Sequence, residues 1–282
     1  MTTILRVWFD TIVRTFANPG ALLVFAISYA VLLVASYVFI WIREATIWQV
    51  LATYALMFLI PIGFFVFQAS IIDRVLDEKF RWRAILIDAV KFLVVTVLVL
   101  LVVWLLYYLL NKFAARYPAP VVEVQPLKKA TSPPPRPPLH WPSLIFTTLR
   151  FVLLGVAFPL AAIHLWIAVA GGDLRSLFRD GAKSFLRQIG SALLRAFSSE
   201  SVLIYGLGLI VFFVLPYIAL VPTFTVNGNK TEFAVFGLRL LLAFLFSLVG
   251  WVSTLAALAR TVSAAPAEVA VADVVLPTES IA

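Results

Sequence analysis

Six long apolar stretches, at 21–42, 47–71, 86–110, 143–170, 202–224 and 233–259, dominate this chain of 282 residues. Each is long enough to cross a bilayer core of ~30 Å at ~1.5 Å of rise per helical residue. The chain is 63% hydrophobic, where a soluble domain is nearer ~45–50%. A single water-facing core is therefore excluded. The expected fold is all-α and polytopic, with six transmembrane helices in two three-helix halves and additional interfacial amphipathic helices.

Composition closes several chemistries. There are no cysteines, so disulfides, thiolate metal sites and cysteine nucleophiles are absent. His140 and His164 are the two histidines, too few for a histidine-built zinc site within one chain. The net charge is +8. Without a nucleic-acid-reading motif, basic residues flanking spans account for it better, as topology determinants and contacts to anionic headgroups.

Residues 1–20 read as an interfacial helix rather than a cleaved signal peptide. Ile4, Leu5, Trp8, Phe9, Ile12, Val13 and Phe16 share half of the helical wheel, while Arg6, Asp10 and Arg14 form the opposite stripe. Asn18-Pro19-Gly20 breaks this helix before the first span. The first three-span half occupies 21–111, with a hairpin turn around Arg43-Glu44, a kink expected at Pro61 and a charged connection at 73–83. Residues 112–142 hold nine prolines, with PPPRPP at the centre. They read as an extended linker with no core of its own, either a spacer or an SH3-type ligand. The second half covers 143–260, with kinks expected at Pro159 and Pro216. It contains an amphipathic segment, 173–198. There Phe185, Leu186, Ile189, Ala192, Leu193, Ala196 and Phe197 form the apolar arc, opposed by Lys183, Arg187, Ser191 and Arg195, with Leu194 as the exception. Residues 261–282 read as a flexible tail. Weak internal similarity, such as Phe80-Arg81 with Phe178-Arg179 and Pro61 with Pro159, fits either a duplication or shared membrane grammar.

Six spans place both termini on one side. That side carries 13 of the Lys and Arg residues against 9 on the other, so the termini are expected in the cytoplasm. Trp8, Trp41, Trp48, Trp82, Tyr117 and Trp141 fall near the expected membrane boundaries, as interfacial belts require.

Candidate chemistry is sparse. No span has a carboxylate near its centre, which counts against ion-coupled transport. Asp88 sits at the mouth of the third span beside Lys91. His164 is the one intramembrane imidazole. It is a packing histidine, part of a substrate path, or a ligand for a haem or chlorin, and a bis-histidine haem within the chain lacks its second ligand. Arg150 and Arg239 lie several residues inside their spans, either snorkelling to the interface or forming an anion site. Ser247, Gly250, Ser253, Thr254 and Ala257 give the sixth span a small-residue face suited to helix packing. Zincin, serine-hydrolase and P-loop motifs are absent.

The order "amphipathic helix, span, span, basic FRxxAxxxA-like segment, span", carried by residues 5–20, 80–92 and 178–200, resembles several uncharacterised bacterial multi-pass membrane families. The resemblance implies a bacterial inner-membrane protein and carries no activity. The leading expectation is non-catalytic: an accessory or scaffolding subunit packing with other membrane subunits, whose Lys183, Arg187, Arg195, Arg6 and Arg14 contact lipid headgroups or a partner. The alternative is a transporter or channel for an apolar or lipid-like molecule. No nucleic acid is expected as a partner.

Overall fold

The computed structural model describes residues 2–43, 45–77, 80–118, 140–170, 181–221 and 229–274. Most of the proline linker (119–139) and the first part of the amphipathic segment (171–180, with the second FR motif) lie outside this set. Among the described residues every regular element is helical: α1 (Thr2–Phe16), α2 (Pro19–Trp41), α3 (Ile47–Asp77), α4 (Trp82–Ala114), α5 (Trp141–Arg150), α6 (Phe158–Val169), α7 (Ala182–Ala196), α8 (Ser199–Leu209), α9 (Leu215–Leu220) and α10 (Asn229–Val274). Wide π-helical turns at Phe151–Ala157 and Ile210–Val214 join α5 to α6 and α8 to α9. Six continuous helical segments are long and apolar enough to cross a membrane, α2, α3, α4, α5–α6, α8–α9 and α10.

Local chemistry sets the helix starts. Asn18 caps α2 by accepting the Ala21 amide at 3.0 Å, with Pro19 in the first turn, where its missing N–H costs nothing. Thr46 and Gln49 form a reciprocal capping box before α3. The Gln49 amide donates to the Thr46 hydroxyl at 3.4 Å, and the Thr46 amide donates to Gln49 Oε1 at 2.9 Å. His140 caps α5 by accepting the Ser143 amide at 3.3 Å. Gly181 enters α7 at φ +73°, a left-handed conformation open to glycine without strain.

Prolines act differently in different spans. α3 runs unbroken through Pro61. Pro159 and Pro216 each follow a π turn. A proline cannot donate to the carbonyl four residues back and its ring crowds that carbonyl, so a locally widened helix accommodates it. The π turns thus mark the second half, and the expected parallel between Pro61 and Pro159 does not extend to local geometry.

Packing is uneven along the bundle axis. Calling the side where α2 begins the near side, most of the buried residues come from the near halves of the spans. They include Phe25 of α2, Phe65 to Ile72 of α3, Ile85 to Val99 of α4, most of α6, Ile204 of α8 and Leu248 to Ala259 of α10, with Leu110, Pro216 and Ala243 buried farther out. The α5–α6 span is central: 61% of its most apolar stretch is buried, against 22% or less in the other five. The two halves join through α3 against α10 and α4 against α6. On the far side, large side chains such as Trp41, Trp48, Trp104, Phe113 and Phe236 point outward.

α10 meets the α8–α9 span very closely. A Cβ on Gly250 would lie 2.6 Å from the Phe212 backbone nitrogen, and one on Gly208 would collide with the Thr254 side chain. The small-residue face read from the sequence is therefore a packing face, as helix association without a hydrophobic driving force requires.

Three expectations change in detail. α1 packs on α10 and α8. Thr11 is its fully buried residue, while Leu5, Phe9 and Val13 point outward. Its inward line is thus not the centre of its apolar face, because Trp8 and Thr11 meet protein and the rest of the face is left outside. Trp8 packs against the core rather than joining a belt. Ile4 and Phe16 lie outside the described side chains. On α7, Phe185, Ile189, Ala192 and Ala196 are buried as expected, but Leu186 and Phe197 at the edges of the arc are exposed. Finally, α4 runs to Ala114, so the linker begins later than 112, and α10 continues through Val274, so the first part of the segment expected as a tail is helix.

Candidate functional site

Polar groups inside a membrane bundle carry the chemistry, because each must find a partner within the protein. Three such pairs link different spans. His164 Nε2 of α6 lies 3.0 Å from the Ser201 hydroxyl of α8. Trp166 Nε1 of α6 donates to Thr96 Oγ1 of α4 at 2.9 Å. Trp251 Nε1 of α10 donates to Gln68 Oε1 of α3 at 2.7 Å. Together they tie α6 to α4 and α8, and α3 to α10.

The aromatic framework around them is continuous. Trp166 stacks on Phe92 with centroids 5.8 Å apart, and Phe65 meets its face edge-on at 5.9 Å. Phe80 plugs the α3–α4 turn, stacked on Trp82 and edge-on to Phe25, with the Arg74 guanidinium 5.8 Å from its centroid. Buried Asp73 accepts the Arg81 amide at 3.2 Å and pairs with its guanidinium at 3.5 Å. The FR pair at 80–81 thus has a local structural role: the ring fills the turn and the arginine neutralises a buried carboxylate. Asp88 is likewise neutralised, by Lys91 Nζ at 2.7 Å.

Two buried polar atoms in this tier stand without a hydrogen bond, His164 Nδ1 and Gln68 Nε2. His164 is 3% exposed. Its Nε2 is engaged by Ser201, while its Nδ1 makes no hydrogen bond. Replacing Trp251 by Phe would leave the fully buried Gln68 amide with neither bond. We expect a loss of stability of ~1–2 kcal/mol, and recovery of part of it when Gln68→Leu is added. Thermal unfolding of both variants in detergent measures it, and a strictly additive double variant would show that the pair is not coupled.

The other sequence-derived candidates are dispersed. The Arg150 guanidinium lies 6.0 Å from the Tyr107 centroid on α4, within cation–π range. Arg239 belongs to α10, whose packing partners include α1, α2, α3, α6, α8 and α9. The expected pair is therefore carried by two helices with no extended common face. Lys183, Arg187 and Arg195 lie exposed along α7, and Arg6 is exposed on α1. Arg14 lines a near-side cavity.

Sequence reasoning missed Gln68, Thr96, Ser201 and Thr11. Gln68 had a legible signal, as a lone amide within FFVFQASII that requires a donor from another span. The hydroxyls had none, because a Ser or Thr in a helix satisfies itself on the carbonyl three or four residues back, as Thr96 does on Phe92 at 2.7 Å.

Fold and site define the class: an all-α integral membrane protein of six transmembrane helices, several of whose intramembrane polar groups join helix to helix. No protein-family model, curated protein or solved structure matches the chain.

Proposed function

We propose that this protein is a non-catalytic accessory or scaffolding subunit of a larger membrane complex, residing in a bacterial inner membrane with its termini in the cytoplasm. The observation that carries this reading is the contrast between the two ends of the bundle. The near half is closed by a continuous core, whereas the far halves of α2, α3, α4 and α10 present large aromatic and aliphatic side chains outward. Such faces suit lipid or the spans of a partner. Gln68, Thr96, His164 and Ser201 each take part in a bond between spans, which suits a packing role. No cofactor is needed by this reading, with His164 serving as a packing residue.

Purification from the native membrane in mild detergent, followed by native mass determination and an absorbance scan, tests the proposal. A stoichiometric larger assembly is expected, with no visible pigment band. The variant carrying Lys183→Glu, Arg187→Glu and Arg195→Glu is expected to lose at least about half of its association with the partner or with anionic lipid, since each cation near an anionic surface contributes ~1 kcal/mol. A colourless monomer insensitive to the triple change would overturn the subunit reading.

One observation favours a second reading, the handling of an apolar or lipid-like molecule. A recess of about 480 Å3 opens between α2 and α9–α10, lined by Tyr29, Leu33, Tyr37, Pro216, Leu240 and Phe244 among others. It joins the two halves of the chain at a proline-widened helix. His164 does not line it, so this reading no longer runs through the histidine.

A further inference from the structure

The near end of the bundle holds a cavity of about 370 Å3 between α1, α2, α3 and α10. Three guanidinium-bearing residues line it, each from a different helix: Arg14 of α1, Arg74 of α3 and Arg260 of α10. Phe25 and Ile71 contribute to an apolar floor, and no described acidic residue is in the lining. Asp73, next to Arg74 in the chain, is committed to Arg81 on the α3–α4 turn.

The arginines are placed by structure rather than left to wander. Arg260 donates to the hydroxyl of the fully buried Thr11 at 3.0 Å. That hydroxyl in turn donates to the Val7 carbonyl at 2.7 Å. Arg74 lies against the Phe80 ring. The first turn of α2 also borders the cavity, through Asn18 and Ala21. Asn18 Oδ1 is used by the Ala21 amide, which leaves the Asn18 NH2 as a further donor, and the helix start adds partial positive charge.

Guanidinium groups from three helices around one half-enclosed space focus positive potential there and favour an anion. Planar guanidinium groups match the oxygen geometry of phosphate in particular. The height of the cavity agrees, because the α3 end, the α2 start and the distal part of the apolar stretch of α10 all lie at the same membrane boundary, where headgroup phosphates are found. We propose that this near-side cavity binds a phosphate group, carried by an anionic lipid headgroup or free in solution. Arg14, Arg74 and Arg260 hold the phosphate, and the apolar floor accommodates the glycerol and first methylenes when a lipid supplies it. The inference stands independently of the subunit reading.

The test uses the full chain in detergent. Native mass spectrometry follows titration with phosphatidylglycerol or phosphatidylcholine, and thermal unfolding is followed with and without inorganic phosphate. Arg14→Gln keeps the falsifying power if Arg74→Gln with Arg260→Gln fails to fold, since Arg14 is exposed on α1. Arg83→Gln, an exposed residue at the start of α4, controls for net charge. Retention of one phosphatidylglycerol in preference to phosphatidylcholine, weakened about tenfold for each guanidinium removed and unchanged in Arg83→Gln, supports the site with a lipid as its source. Stabilisation by inorganic phosphate that the Arg14 variant loses, with no preference between the two lipids, supports it with a soluble source. If the Arg14 variant and every folded cavity variant match the wild type in both measurements, or Arg83→Gln loses as much as they do, the proposal is overturned.

Discussion

Replacing Gly250 by Ala is expected to destabilise the protein by about 1–3 kcal/mol, although the same change in an unobstructed helix stabilises it. The physical reason is the crossing of α10 over the π turn of the α8–α9 span. The added methyl would sit 2.6 Å from the Phe212 nitrogen and 2.9 Å from its Cα. Backbone cannot swing aside as a side-chain tip can, so the helices must separate. Separation would also strain the Ser247 hydroxyl, which donates to the Phe212 carbonyl at 3.4 Å. Gly237, on the same helix, has nothing within 4 Å of a built Cβ. Gly237→Ala is therefore expected to be neutral or to gain up to ~1 kcal/mol in helix propensity. Thermal unfolding in one detergent compares the two directly. Equal shifts of the same sign in both variants would mean that the close crossing is not maintained in the membrane.

Trp166→Ala is expected to cost more, ~3–5 kcal/mol, the range for truncating a large buried aromatic residue. Trp166 is the hub of the near-side core, stacked on Phe92, edge-on to Phe65 and bonded to Thr96. Its removal opens a cavity where α3, α4 and α6 meet, and lipid cannot fill a closed interior. Trp166→Phe separates the contributions. It keeps most of the ring contacts and loses the bond to Thr96, worth about 0.6 kcal/mol on the average for such bonds in membranes. Thr96 stays satisfied through the Phe92 carbonyl. A Phe variant as unstable as the Ala variant would place the stability in the hydrogen bond rather than in the packing.

Much of the fold was legible because the bilayer imposes a length rule and a polarity rule on every crossing segment. The six apolar stretches appear as spanning helices with ends shifted by a few residues, where caps such as Asn18 and Thr46–Gln49 set the start. That α1 and α7 are helices was legible from their period, but which part of each apolar face meets protein was not. Leu5, Phe9 and Val13 have the same hydropathy whether they face lipid or a neighbouring helix, so α1 could not be oriented by pattern alone. Pro61 and Pro159 look equivalent in sequence, and only the packing around them separates a regular helix from a π turn.

The candidate site was less legible. His164 stood out because ionisable residues in a span are rare, but its Ser201 partner lies 37 residues away and has no signature of its own. Gln68 and Trp251 are 183 residues apart. Arg74 and Arg260 were counted in the sequence only as topology charges and Arg14 also as a headgroup or partner contact, because a basic residue at a span end looks the same whether it faces headgroups or lines a cavity.

The sequence by itself determined the solvent, the helix class and the number of crossings, because these follow from apolar length and from the cost of unpaired backbone groups in hydrocarbon. Only the tertiary structure decided where the core lies, which polar groups meet and which arginines share a space. Those properties depend on how helices rotate and approach one another, and in a membrane that is set by side-chain shape and by close contacts such as Gly250 on Phe212, neither of which leaves a periodic trace along the chain.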